Sequence, residues 1–178
     1  AEAKRCIGYL PELPPLYTDM TVWEYLEFAA QLKNIPAKKR QESILNAMKM
    51  TGLVDVAKRL IKNLSKGYRQ RVGFAQAVLG MPEIIILDEP TVGLDPIQII
   101  EIRSLIKELA KEHTVILSSH ILSEISAVCD EILIISHGRL VASDTTENLM
   151  HYMDSDAMLE ISIRAPKEQA KNSFAQLH

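Results

Sequence analysis

Residues 84–95, IIILDEPTVGLD, decide how the rest of this 178-residue sequence is read. Four apolar residues run straight into adjacent carboxylates, Asp88 and Glu89, with no turn residue between. A short apolar run of this kind reads as a buried strand. Paired acids at its end are costly unless a cation or a proton engages them. The chain then supplies Pro96 at the first position of a helix, with Ile102, Leu105, Ile106 and Leu109 spaced i, i+3, i+4, i+7.

The alternation continues on the C-terminal side. A helix at 96–112 leads to a strand in TVILSSH (114–120), a helix at 121–128 and a strand in EILIIS (131–136). HGRL (137–140) then turns the chain back into LVASD, a small hairpin. On the N-terminal side, RCIGYLPE (5–12) reads as a short buried strand stopped by Pro11, Pro14 and Pro15. Thr21 and Glu24 make a capping box, and Val22, Leu26, Ala29, Ala30 and Leu32 follow helical spacing behind it. A second helix in AKKRQESILNAMKMTG turns Ile44, Leu45 and Met48 inward and ends on Gly52. Residues 20–64 are thus a helical insertion after a strand. Ser65 opens a third helix with Val72, Ala75, Val78 and Leu79 on one face, ended by Gly80 and Pro82. Apolar strands separated by amphipathic helices predict an α/β fold with a parallel sheet covered on both faces.

The tail has another character. AMLEISIRA (157–165) alternates as a half-exposed strand, and PKEQAKNSFAQLH (166–178) begins a helix. One strand and one helix cannot bury a core, so 151–178 reads as the start of a truncated accessory domain. Hydrophobic residues are 47% of the chain, which argues for a core and against disorder. Net charge is -3 with basic residues scattered among acids, so no nucleic-acid footprint is present and no nucleic-acid partner is expected. Cys6 and Cys129 lie apart in apolar segments, as reduced thiols of a cytosolic protein do. No apolar run approaches the ~18 residues of a membrane span, and AEAKRCIGYLPE lacks the features of a signal peptide.

Ligands of parallel α/β sheets bind at the carboxyl ends of the strands. Asp88, Glu89, His120 and Glu12 all stand at such ends. An aspartate there can hold Mg²⁺ directly or through water, and a following carboxylate can orient or deprotonate water attacking a phosphate. The plainer reading of DEP is a strand end facing solvent. LSKGYRQR (64–71) places small and glycine-containing backbone at a helix start, an anion site by its free N–H groups and dipole. Taken alone, Ser65 is an ordinary N-cap and His120 a structural histidine.

As an ordered set these stretches resemble the nucleotide-binding domain of ABC transporters. LSKGYRQR looks like the signature, IIILDEP the Walker B strand, GLDP the D-loop and SSH the switch histidine; IGYLPE running into LYTDMTVWEYL looks like the Q-loop and helical subdomain. The resemblance covers about residues 5–150. Glu12 stands where the Q-loop has glutamine, and Lys66 and Tyr68 where many signatures have Gly and Gln. Both variants resemble the branch serving ABC-2-type exporters and gliding-motility-associated ATPases.

The resemblance implies a P-loop NTPase (RecA-like) sheet with the helical subdomain at 20–64 inserted, and signature, Walker B, D-loop and H-loop core at 65–150. It implies ATP and Mg²⁺ as cofactors. Asp88 would hold the Mg²⁺ shell, with Glu12 as a second acid near the metal. Glu89 would be the general base, and His120 would contact the γ-phosphate. Ser65, Lys66, Gly67 and Tyr68 would face ATP bound to a second such domain packed head to tail, with Asp95 at the junction. The partner implied is a membrane permease, which the insertion and the Glu12 loop would dock, holding the protein at the inner face of the cell membrane. A soluble ABC ATPase acting on ribosomes or DNA is the alternative. None of the seven glycines opens a G-x-x-x-x-G-K-[ST] run. By resemblance that loop lies upstream of Ala1. These residues are then expected to be a fragment, inactive alone, whose sheet lacks a strand between the one ending at Ser119 and the one at 131–136.

Overall fold

The computed structural model describes residues 6–149, which fall into two compact units divided between Asp130 and Glu131. In the first, strands β1 (Ile7–Leu10), β2 (Ile84–Asp88) and β3 (Thr114–Ser118) form a parallel sheet in that order. The register sets Leu10 beside Leu87, and Asp88 beside Ser118. All three strands therefore end on the same rim, and their last residues are brought side by side.

Helices α1 (Val22–Leu32) and α2 (Ala37–Met50), with two 3₁₀ turns at Val54–Val56 and Ile61–Asn63, fill the insertion between β1 and the helix α3 (Lys66–Val78). The expected capping box opens α1: Thr21 N–H donates to the Glu24 carboxylate at 2.8 Å, and Glu24 N–H to Thr21 Oγ1 at 3.3 Å. Helix α2 ends as predicted. Gly52 takes φ +66, its N–H donates to the Lys49 carbonyl, and Leu53 N–H reaches back to Met48, the paired bonds of a Schellman close. The inward side of α2 is Ile44, Ala47 and Met48. Leu45, expected inward, is exposed, because one residue on from Ile44 the helix has rotated about 100° away from the core. Leu32 is likewise exposed in the last turn of α1. Tyr25 is core, its hydroxyl donating to Gln76 of α3; Trp23 is half-buried against the same cluster. Lys33 donates to the Ala77 and Leu79 carbonyls at 2.9 and 3.0 Å, tying the end of α1 to the end of α3.

The buried face of the sheet carries Leu10, Ile85 and Leu87, with Val115 and Leu117 half-buried beside them. Against it lie α3 and α4 (Pro96–Leu109), the latter through the predicted Ile102, Leu105, Ile106 and Leu109. Close seating of α3 depends on Gly8: a Cβ there would stand 2.3 Å from the Ala77 carbonyl oxygen. The opposite face aligns Tyr9, Ile86 and Ile116 in register, and Tyr9 and Ile116 are 50% and 53% exposed. The expectation of cover on both faces is corrected for the described residues. Both crossovers, β1 to β2 and β2 to β3, run in the same direction. A right-handed connection then places both sets of helices on the same side.

Helix α4 stops at Leu109 rather than at 112: Lys111 and Glu112 donate i→i−3 and tighten the turn. Helix α5 is a short Leu122–Ile125, not the predicted 121–128. In the second unit, β4 (Glu131–Ser136) pairs antiparallel with β5 (Arg139–Thr145). The hairpin was expected, and among the described residues β4 pairs only with β5. His137 and Gly138 sit at φ 50 and 73, the type I′ geometry that closes a hairpin with two residues. A helical turn starts at Thr146. The expected strand and helix of the tail lie outside the described residues.

Candidate functional site

Strand alternation would send Asp88 and Glu89 to opposite faces of the sheet. The chain prevents this at Glu89, which adopts φ +44, a left-handed conformation that is uncommon for a residue with a Cβ. The Asp88 carboxylate thus meets the last residue of β3, and the Glu89 carboxylate the segment just after it. Asp88 Oδ1 accepts from the Ser118 hydroxyl at 2.6 Å, and Glu89 Oε1 accepts from Nδ1–H of His120 at 2.8 Å. The Glu89 N–H is held too, donating to the Ser118 carbonyl at 3.1 Å and to Ser118 Oγ at 3.3 Å. Asp88 Oδ2 has a longer contact, 3.4 Å, from the Tyr9 hydroxyl.

The electrostatics follow from these contacts. His120 is exposed, and its imidazole is held above the ordinary 6.5, first by its bond to Glu89 and then by the charge of Glu89. Glu124 and Glu12 add smaller pushes in the same direction, against slight desolvation. Glu89 is mostly enclosed, and its second oxygen, Oε2, is buried without a hydrogen-bond partner. An ionised carboxylate oxygen left so is an acceptor awaiting a donor. Behind the pair, Thr91 and Glu124 are buried and bonded to each other, hydroxyl to carboxylate, which fixes the turn after Glu89 to α5.

A second group of candidate residues gathers at the start of α3. Ser65 is the N-cap, its Oγ accepting from Tyr68 N–H at 3.3 Å. The plain capping reading of Ser65 is correct, and it leaves the hydroxyl proton and the N–H groups of Lys66 and Gly67 available. Lys66 lies across Gly93, its Nζ 2.0 Å from where a Cβ would stand, and Gly67 is buried against Gln98. Asp95 caps α4 by accepting from Gln98 N–H at 2.9 Å. Arg71 braces this corner, donating to Glu101 at 2.6 Å and to the Thr51 carbonyl at 3.2 Å, with Tyr68 beside its guanidinium.

The fold thus brings Asp88, Glu89 and His120 together, with Glu12 exposed but close enough for its charge to act on His120. It gathers Ser65, Lys66, Gly67 and Asp95 separately. Among the described residues no hydrogen bond or ion pair joins the two groups. Sequence reasoning missed Ser118, Tyr9, Thr91 and Glu124. Ser118 lay inside SSH, but its hydroxyl meets Asp88 only because the parallel register sets the two side by side. No cluster of three or more His, Cys, Asp or Glu side chains suited to a metal occurs among the described residues, nor any helix long and apolar enough to cross a membrane.

Known proteins resemble this chain in sequence and in fold. A family model described as ABC transporter matches residues 1–92. An uncharacterized ABC transporter ATP-binding protein of Nostoc sp. is 44% identical over 150 residues, covering 83% of this chain and 45% of that one. The bacitracin transport ATP-binding protein BcrA of Bacillus licheniformis is 44% identical over 142 residues, 79% of this chain and 45% of that one. The lantibiotic transport ATP-binding protein SrtF of Streptococcus pyogenes is 34% identical over 160 residues, covering 88% and 68%. Among solved structures, cbiO1 from Clostridium perfringens, part of the ABC transporter complex cbiONQ, superposes with a TM-score of 0.77 at 28% identity, over 85% of this chain and 62% of that one. The chain spans about half the length of several of the curated relatives it matches, 45%, 49% and 46% of the first three. Matched over residues 1–92 by the family model, by relatives in sequence and by a solved structure in fold, the chain belongs to the ABC transporter family.

Proposed function

We propose that in the full-length protein these residues hydrolyse ATP to drive export through a separate membrane subunit. The observation that carries this is Glu89: beside Asp88 at a strand end, one oxygen bonded to His120 and the other buried with no partner. Relatives named for bacitracin and lantibiotic transport support the export reading.

The Glu89 carboxylate takes a proton from water, whose oxygen attacks the γ-phosphorus of ATP as ADP leaves. His120, protonated over a wider pH range than a free histidine, keeps Glu89 aimed and offers its other ring nitrogen to the γ-phosphate. Asp88 fits a hard cation because it is an oxygen donor whose carboxylate is already oriented by Ser118. Asp88 would hold Mg²⁺, with Glu12 as a further acid near it; bound there, Mg²⁺ neutralises phosphate charge. Ser65, Lys66, Gly67 and Tyr68 would meet the γ-phosphate of ATP on a second copy packed head to tail, with Asp95 at the junction. The insertion at 20–64 and the Glu12 loop would dock the permease, placing the protein at the cytoplasmic face of the membrane. The 178 residues contain no phosphate loop of the G-x-x-x-x-G-K-[ST] type, so alone they would not turn ATP over.

The test is Glu89→Gln in the full-length protein. ATP binding should persist while turnover falls roughly 10²-fold or more, the scale of a lost general base. Near-normal hydrolysis would refute the assignment.

A further inference from the structure

We propose that Ser118 is a positioning residue for both acids, setting the Asp88 carboxylate and the Glu89 backbone with one side chain. The inference rests on the ATPase reading of the same site. Three contacts converge on Ser118: its hydroxyl donates to Asp88 Oδ1 at 2.6 Å, while its Oγ and its carbonyl accept the Glu89 N–H at 3.3 and 3.1 Å. The donor and acceptor uses are compatible, because a hydroxyl has one proton and two lone pairs. The proton goes to the carboxylate, making a charge-assisted bond. A lone pair goes to the amide of the next residue.

The consequence lies in what each bond constrains. Asp88 has χ freedom at a strand end where half the surroundings are open; the Ser118 bond selects one carboxylate orientation and leaves Oδ2 facing only the long Tyr9 contact. Oδ2 is then the oxygen free for a hard cation. Glu89 sits at φ +44, a conformation that persists only where the surroundings over-determine it. The shared amide bond supplies that constraint. Loss of the hydroxyl should therefore loosen the Asp88 oxygen that a metal needs and the backbone that aims Glu89, while the sheet, which rests on Leu87 and its neighbours, stays intact. Threonine keeps the hydroxyl and suits a strand end; alanine does not keep it.

In the full-length protein with its membrane partner, Ser118→Ala, Ser118→Thr, Glu89→Gln and the double variant Ser118→Ala/Glu89→Gln are compared for kcat, KM for MgATP, Mg²⁺ dependence and melting temperature. Ser118→Ala is expected to lower kcat roughly tenfold, as loss of a bond to a charged group does. It should also raise the Mg²⁺ needed for half-maximal rate, with the melting temperature unchanged, and Ser118→Thr should restore both. In the Glu89→Gln background the same alanine should cost little further kcat, because the two residues act as a unit. An alanine variant with wild-type kcat and Mg²⁺ dependence overturns the proposal, and so do fully additive losses or a threonine variant that fails to rescue. If Glu89→Gln hydrolyses ATP like the wild type, the ATPase reading itself fails, whatever Ser118→Ala does.

Discussion

Glu89 and His120 are bonded across the end of the sheet, Oε1 to Nδ1 at 2.8 Å, although Glu89 must hold a left-handed backbone to make the bond. Each residue alters the other. The carboxylate raises the pKa of the imidazole, and the imidazole occupies one carboxylate oxygen and leaves Oε2 bare. Because the folded-state pKa of His120 lies above 6.5, the stability that the raised imidazole pKa contributes is present below pH 6.5 and fades as pH rises through the raised value. Glu89→Gln should bring the His120 pKa back toward 6.5. A pH titration of histidine Cε1–H resonances, with His120→Gln for assignment, reads this directly. An unchanged pKa would show that the contact does not persist in solution.

The backbone of Glu89 makes a separate prediction. Glycine ordinarily destabilises a strand relative to alanine, but at φ +44 the order reverses because only the residue with a Cβ is strained. Glu89→Gly should be more stable than Glu89→Ala by about 1 kcal/mol, both variants lacking the carboxylate. Urea unfolding of the two side by side checks it; alanine equal to or better than glycine would contradict the conformation.

Gly8 sets the distance between β1 and α3. The carbonyl of Ala77 is backbone and cannot swing aside, so a Cβ at 2.3 Å must push the helix from the sheet. Gly8→Ala should destabilise by about 1–3 kcal/mol, the range for overpacking a filled core, in thermal or denaturant unfolding. Unchanged stability would mean that this spacing is soft.

Residues 1–178 by themselves should bind MgATP at millimolar concentration or weaker and show no ATPase activity. Asp88 and Glu89 present negative charge to a polyanion, and no G-x-x-x-x-G-K-[ST] loop is present in these residues to cradle the phosphates. Isothermal titration settles the point: a micromolar dissociation constant would contradict it.

Periodicity and terminal signals sufficed for much of the fold. The capping box at Thr21, the close at Gly52, the inward stripe of α4 and the DEP strand end were all legible, because each depends on residues within one or two turns of one another. The grouping of Asp88, Glu89 and His120 at strand ends was legible as well, since a parallel sheet puts such ends on one rim. Leu45 and Leu32 were misjudged because apolar character alone does not say which side of a helix the core will take. Other features belong to tertiary structure alone. Ser118 reaches Asp88 through a register between strands 30 residues apart. Glu89 takes positive φ because bonds from Ser118 and His120 hold it there, a conformation its own residue type disfavours. The exposure of Tyr9 and Ile116 among the described residues follows from the handedness of two crossovers. The sequence alone therefore singled out the candidate residues and the elements on which they sit. Only the packed sheet decided which atoms meet, since hydrogen bonds between distant strands depend on register and backbone twist, which no local pattern encodes.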